Sequence, residues 1–524
     1  MRDRTFILRI TLPLLLGAPA CADLKGPDDD PRQPITNPAE VEARLTESWL
    51  YWWYPTAHFD GGGPWLSTAS FQHSTTVEEH AMVLYSSIPR EPTRNQPATG
   101  YGYEQISLAH RYFYRAIATV NDGLRAILVH QSVDMGADEA RAVAWGRFVQ
   151  GLGYGYLSLL YDKGPVVDET TDLWDRAPEY VGYEDVLEAA LGYLYDVIAV
   201  AGASTFTIPG SWMYAADEPM SSARLAQIAS SFRARLRANV ARTPEEREAV
   251  DWDRVLEEVN AGITSSFDYR MTGADLAINY SLHRMLGWGQ MNYFVHGMAD
   301  QSGRYQEWMS LPVEKRHPNL PSGAFLIQTP DLRLPQGATE AEQREHPGSR
   351  FQVFAAPGET WGRPDHGEWR WSYYREVRDP HLAVQGVLPD LRVQEMNLLA
   401  AEAHYRLGNL AAAADLINLT RVPAGLNATN ADGLNTSCVP KLPDGQCGDL
   451  WEMLKWEKRL ETGMDHAMLS APWFFDSRGW GDLHEGTILQ LPVPWETAMQ
   501  APQVPIRNFG GSLDWSASVG TYGY

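Results

Sequence analysis

The stretch from Leu388 to Arg421, LPDLRVQEMNLLAAEAHYRLGNLAAAADLINLTR, constrains the fold of this 524-residue chain more than any other. Val393, Met396, Ala400, Ala403 and Leu407 recur at helical spacing, so one apolar stripe runs for about four turns. Gly408 then supplies a residue that tolerates the left-handed conformation ending a helix. Asn409 is placed to cap a second, alanine-rich helix through Leu410, Ala413, Ile417 and Thr420. Two helices joined by so short a link lie antiparallel. Ala400, Ala401, Ala403 and Ala411 to Ala414 let their backbones approach closely. One hairpin cannot bury its own apolar face, so the pattern predicts further pairs stacked on it.

The run HYRLGNLAAAADLINLTR resembles the tetratricopeptide pattern, in which YxxLG closes one helix and small residues line the next. Periodicity predicts other helices over 40–54, 103–129, 138–161, 183–200, 221–240, 252–263 and 451–462. Lys163-Gly164-Pro165 is expected to end the third of these, Gly capping and Pro blocking continuation. Between about 264 and 388 the periodicity fails. That stretch is rich in Pro, Gly and aromatics, and a structureless run of such length is rare in a compact domain. It reads as an irregular insertion packed on a helical scaffold by its aromatic rings, and the tail from Leu491 onward reads as loop.

A disordered chain would not carry 19 Trp and 24 Tyr, so the body is folded. A formal charge of −23 excludes nucleic acid as a partner and disfavours adsorption to an anionic bilayer. Residues 1–20 read as a targeting segment: Arg2 and Arg4 precede the apolar run Ile7 to Leu16, and a small residue, Ala20, stands immediately before Cys21. This resembles a bacterial lipoprotein box, with Ala18 where Leu is usual, and predicts a lipid on Cys21. The alternative is an ordinary secretory signal cut near Ala20. Residues 21–39, acidic and proline-containing, read as a flexible tether, and 40–524 as a single domain. No later segment approaches ~18 uninterrupted apolar residues, so lipid alone would hold the protein to a membrane. The other two cysteines, Cys438 and Cys447, sit nine apart in a Gly/Pro/Asn-rich loop of an exported protein, which predicts a local disulfide rather than a metal site.

Ordered motifs then carry a family resemblance. Ala116-Ile117 with Asn121 lies in one helix, and Leu160-Tyr161 with Pro165 closes the next. Ala401-Glu402 runs on through Asn418 and Arg421. Glu457-Lys458-Arg459 with Glu461 precedes Phe474-Phe475-Asp476 and Trp480-Gly481, and Pro492-Val493-Pro494 with Glu496 comes last. In this order they resemble the SusD/RagB-like outer-membrane lipoproteins, the nutrient-binding partners of TonB-dependent transporters. The chain departs from the family pattern at Asp162-Lys163-Gly164-Pro165, at Lys458 and at Gly479. The resemblance implies a mostly α fold of four tetratricopeptide-like helix pairs carrying an irregular ligand-binding face. It also implies a transporter partner at the outer membrane and cell surface, with no catalysis and no cofactor.

The aromatic excess points to the ligand. Sugar rings present apolar C–H faces, which planar side chains with a polar tip can cover. Trp53 and Trp65 flank the glycine-rich loop at 61–63, and Trp361, Trp369 and Trp371 lie in the insertion; these are the candidate platforms for an oligosaccharide or, secondarily, a peptide. The alternative for each ring is that it packs the insertion onto the helices. A secreted helical glycoside hydrolase would need two facing carboxylates, for which Asp60, Asp365, Glu368 and Asp476 are unspecific candidates. A tetratricopeptide-type envelope scaffold is the third reading.

Overall fold

The computed structural model describes residues 34–57, 61–78, 81–90, 95, 101–172, 177–213, 218–271, 289–353, 363–376, 386–463, 472–501, 503–505 and 516–524. Cys21 with its signal, the tether as far as residue 33, Asp60 and Trp361 lie outside these residues, and the first helix begins at Pro38, inside the stretch expected as tether.

The described chain is mostly helical, and four helix pairs form its frame. Pro38–Ala57 packs on Tyr101–Leu124, Glu139–Leu160 on Tyr183–Ala203, Ser222–Asn239 on Trp252–Asn260, and Val393–Arg406 on Leu410–Arg421. Each pair packs on the next, as the central hairpin required. The Glu139–Leu160 helix is the hub. A Cβ on Gly151 would lie 2.6 Å from Leu194, one on Gly153 2.8 Å from Ile117, and one on Gly155 2.5 Å from Leu236. Three glycines therefore admit neighbours from three pairs, at a helix-propensity cost of about 1 kcal/mol each. Tyr183–Ala203 is by composition long and apolar enough to cross a membrane. In this fold its Val186, Leu187, Ala190, Leu191, Leu194 and Val197 are buried, while Glu184, Asp185, Glu188 and Asp196 face outward.

At the central hairpin Gly408 has φ +78°, and the Gly408 and Asn409 amides donate to the carbonyls of Tyr405 and His404. Asn409 occupies the cap position but its side chain makes no capping bond. The hub helix ends at Leu160, earlier than Gly164-Pro165 would impose. Two arginines set that end: Arg242 Nη2 donates to Ser158 O (2.6 Å) and Tyr161 O (3.1 Å), and Arg478 Nη1 to Leu159 O (2.9 Å). Lys163–Pro165 instead forms a short strand paired with Tyr180–Gly182.

The insertion is closed at its neck by an antiparallel ladder, Phe267–Met271 against Gly386–Leu391. Its interior holds short helices and two-stranded pieces, with Asn319–Leu320 on Gly323–Ala324 and Phe351–Val353 on Tyr374–Glu376. With so little regular structure, aromatics build the core: Tyr293, Phe294, Tyr305, Trp308, Phe325, Phe351, Trp369 and Tyr374 form a second buried cluster, separate from that of the helix pairs. The helix Leu450–Thr462 serves both sides. Met453 and Leu454 pack with the fourth pair, whereas Trp456 and Leu460 join the insertion core. A further helix, Pro472–Trp480, and a short one, Trp495–Gln500, occupy stretches where periodicity predicted none.

Candidate functional site

The motif residues meet, but in the interior. Glu402 from the fourth pair accepts from Arg247 Nη2 (2.6 Å) and Trp480 Nε1 (3.0 Å), and Lys458 Nζ lies 3.5 Å away. Asp476 accepts from Arg247 (2.9 Å) and Lys458 (2.9 Å). Burial alone would push the Glu402 carboxyl up, but Arg247, Lys458 and Arg406 together hold it down at about 2. One turn away, Asp482 takes Lys455 and Arg459, and Tyr522 Oη donates to Glu452 (2.8 Å). On another face Arg333 bridges Asp331, Glu457 and Glu461. These charges fasten the Leu450–Thr462 helix to everything around it. Asp476, a hydrolase candidate, is consumed by that fastening. Asp365 sits on an exposed turn in a bidentate pair with Arg363 (3.0 and 2.7 Å), and exposed Glu368 lies 3.9 Å from His317.

Four of the five candidate tryptophans are described, and all four are interior. Trp53 is 2% exposed and Trp65 1%, the latter against Tyr85 (centroids 4.7 Å apart) and Phe474 (6.1 Å). Trp369 (4%) and Trp371 (3%) are buried in the insertion. None offers a ring face to a ligand, which corrects the expectation of exposed platforms at these positions. Trp53 and Trp65 lie on helices and fill the core of the helix pairs, whereas Trp369 and Trp371 supply the insertion with apolar area that its short strands cannot. The disulfide Cys438–Cys447 is present, closing a loop whose Cys438 and Val439 carbonyls accept from Gln301 and Arg421.

Among the described residues an edge that reaches the surface is formed by three stretches: 71–78 with 81–90, the insertion around Arg316, and the residues from His484 to 501 with 516–524. At its base Phe71 stacks on Phe294 (4.3 Å, 7°), with Trp369, His484 and Tyr524 set around the pair at 4.9 to 6.4 Å. Phe71 holds this place with φ +58°, strain that a bulky side chain accepts only where surrounding structure enforces it. A guanidinium sits on each ring of the stack, Arg90 over Phe71 and Arg316 over Phe294, both at 5.0 Å. Arg90 donates to Thr487 Oγ1, Tyr85 O and Ala69 O; Arg316 donates to Leu311 O and Met309 O. His484 lies half-buried beside both. Burial, then Arg90 and Arg316, lower its pKa to about 4, so its ring is neutral at physiological pH. Its Nδ1 donates to Glu485 O (2.8 Å), which leaves Nε2 as an acceptor.

Two other aromatic pairs are half-exposed. Tyr54 stacks on Tyr112 (4.7 Å, 13°) on the first helix pair, and Tyr405 meets Trp451 (5.0 Å) on the fourth. Sequence reasoning singled out none of Arg90, Arg316, His484, Tyr112 or Tyr405. The signal available for the edge was thin: isolated basic residues among aromatics, spread over some 400 positions of chain.

The sequence matches no family model and no curated protein. Among solved structures the fold is similar to a SusD-like protein of Bacteroides fragilis (TM-score 0.54, 12% identity, covering 91% of this chain and 98% of that one). It is similar also to a SusD-like carbohydrate binding protein of Bacteroides fragilis (0.53, 13%, 92% and 94%). A third is surface glycan-binding protein A of Bacteroides uniformis (0.50, 12%, 82% and 86%). At these identities the likeness establishes the fold. The resemblance read from the motifs and the helix-pair architecture with its aromatic insertion are both met at that level.

Proposed function

We propose that this chain, whose fold is SusD-like, is a non-catalytic nutrient receptor that holds a saccharide and delivers it to a TonB-dependent outer-membrane transporter. The observation that carries the reading is the fold itself, a fastened helical frame bearing an irregular aromatic insertion. Solved proteins with that fold include one described as carbohydrate binding and one as glycan-binding. The ligand face is the insertion edge around His484, where loops from three segments are held by a rigid base. A receptor that must pass its ligand on needs only roughly micromolar affinity. The mature protein is a single domain anchored at the cell surface through lipid on Cys21.

Calorimetric titration with a panel of oligosaccharides, with products followed by mass spectrometry, tests the reading. Binding without turnover is expected; clean hydrolysis would replace the receptor with the hydrolase. Pull-down from outer membranes is expected to bring down a transporter barrel, and Cys21→Ser to release the protein from membranes.

A further inference from the structure

Most arginines buried in this molecule are answered by carboxylates. Arg233 pairs with Glu258, Arg235 with Asp390 and Glu395, Arg247 with Glu402 and Asp476, and Arg333 with three acids. Arg242 and Arg478 have no such partner among the described residues, but their donors are spent on the ends of two scaffold helices. Arg90 likewise spends its donors, on Thr487 Oγ1, Tyr85 O and Ala69 O, whereas Arg316 differs from both groups. Among the described residues neither has a carboxylate within ion-pair distance, in a chain with 66 acidic residues against 43 basic. They sit at a half-buried edge, and Arg316 Nη1 has no hydrogen-bond partner among the described residues. Among the described residues the carboxylate that acts on Arg316 is its exposed near neighbour Glu314. Arg370, which repels Arg90, is offset by Glu78. The edge is therefore cationic on an otherwise acidic molecule. A neutral acceptor, His484 Nε2, stands next to the two cations.

We propose that the saccharide taken at this edge is acidic, its uronate carboxylate or sulfate ester docking on Arg316 beside the charge of Arg90 while a hydroxyl of the same ligand donates to His484. The proposal rests on the receptor reading above and sharpens it to a ligand class. Arginine suits the task because its planar fork meets carboxylate and sulfate oxygens in pairs, and the aromatic stack behind fixes where that fork points. Desolvation by the rings weakens the guanidinium's hydration, so an incoming anion displaces little water.

The test uses the full mature chain and matched ligands: a short oligogalacturonate against its methyl ester, and a sulfated galactan oligosaccharide against its desulfated form. The charged member of at least one pair is expected to bind about tenfold tighter or better, with affinity falling as salt rises. The pair that responds distinguishes carboxylate from sulfate. Arg316→Gln is expected to abolish that preference and Arg316→Lys to restore part of it. Melting temperatures of both variants show whether the fold is kept. Equal affinity for charged and neutral members overturns this inference and leaves the receptor reading standing. Failure of every saccharide to bind, or binding of poly-glutamate in their place, overturns both.

Discussion

The arginines of the helical frame and those of the insertion edge answer burial differently. Arg247 is fully buried and meets two carboxylates, one from the fourth helix pair and one from Pro472–Trp480. Arg316 is half-buried and meets two carbonyls and two rings, Phe294 and Trp308. A closed ion network has no valence left for a ligand and makes a rigid joint, since removing either partner strands a buried charge. A cation held by carbonyls and ring faces keeps its charge uncompensated. The difference separates what holds the molecule together from what it can offer to something else.

The comparison can be broken first where it is strongest. Glu402→Ala strands Arg247 and Lys458 on Asp476 alone and is expected to cost about 3–5 kcal/mol in urea unfolding. A loss below about 1 kcal/mol would mean that the network is not a joint. Gly155→Val, which drives a branched side chain into Leu236 at the meeting of the second and third pairs, is expected to cost about 1–3 kcal/mol. Removing the disulfide by Cys438→Ser should cost about 2–3 kcal/mol in the chain-entropy model and raise proteolysis within 438–447. Arg316→Gln should change stability least, by about 0.5–1 kcal/mol, the scale of a cation–π contact at a half-exposed site.

Acid sharpens the same contrast. Burial lowers the pKa of His110 to about 3, and burial with the nearby Arg459 does the same for His296. Their unfolded value is near 6.5, so between about pH 6.5 and 3 the unfolded chain binds more protons. Their contribution is therefore complete above about 6.5 and is lost progressively as the pH falls through that window. His484 adds to the same limb down to about 4. Glu402 enters lower, its contribution lost as pH falls from about 4.5 toward 2. Unfolding midpoints measured along a pH series should decline in that order, and His110→Phe should flatten the upper part.

The frame was legible in the sequence because its signals are local. Val393, Met396, Ala400 and Ala403 mark a stripe within four turns, and Gly408 stops it at a residue that needs φ above zero. The neck near 267 and 391 was legible as the loss of that period. The end of the hub helix was not, because Arg242 and Arg478 reach it from more than 80 and 300 residues away. The site failed for a related reason. Composition reveals that many indoles are present but not which way they face, and Trp65 and Trp369 were needed inside. Arg90, Arg316 and His484 become one edge only once Phe71 and Phe294 stack, a pairing across more than 220 positions that no periodicity announces.

The contrast between a closed frame and an open edge is tested most directly by hydrogen exchange on the mature protein with and without a saturating saccharide found by titration. Slower exchange is expected in 82–90, 304–320 and 484–488, with Leu450–Thr462 and the hub helix unchanged. Protection confined to the helix pairs, or to the Tyr54–Tyr112 surface, would contradict it.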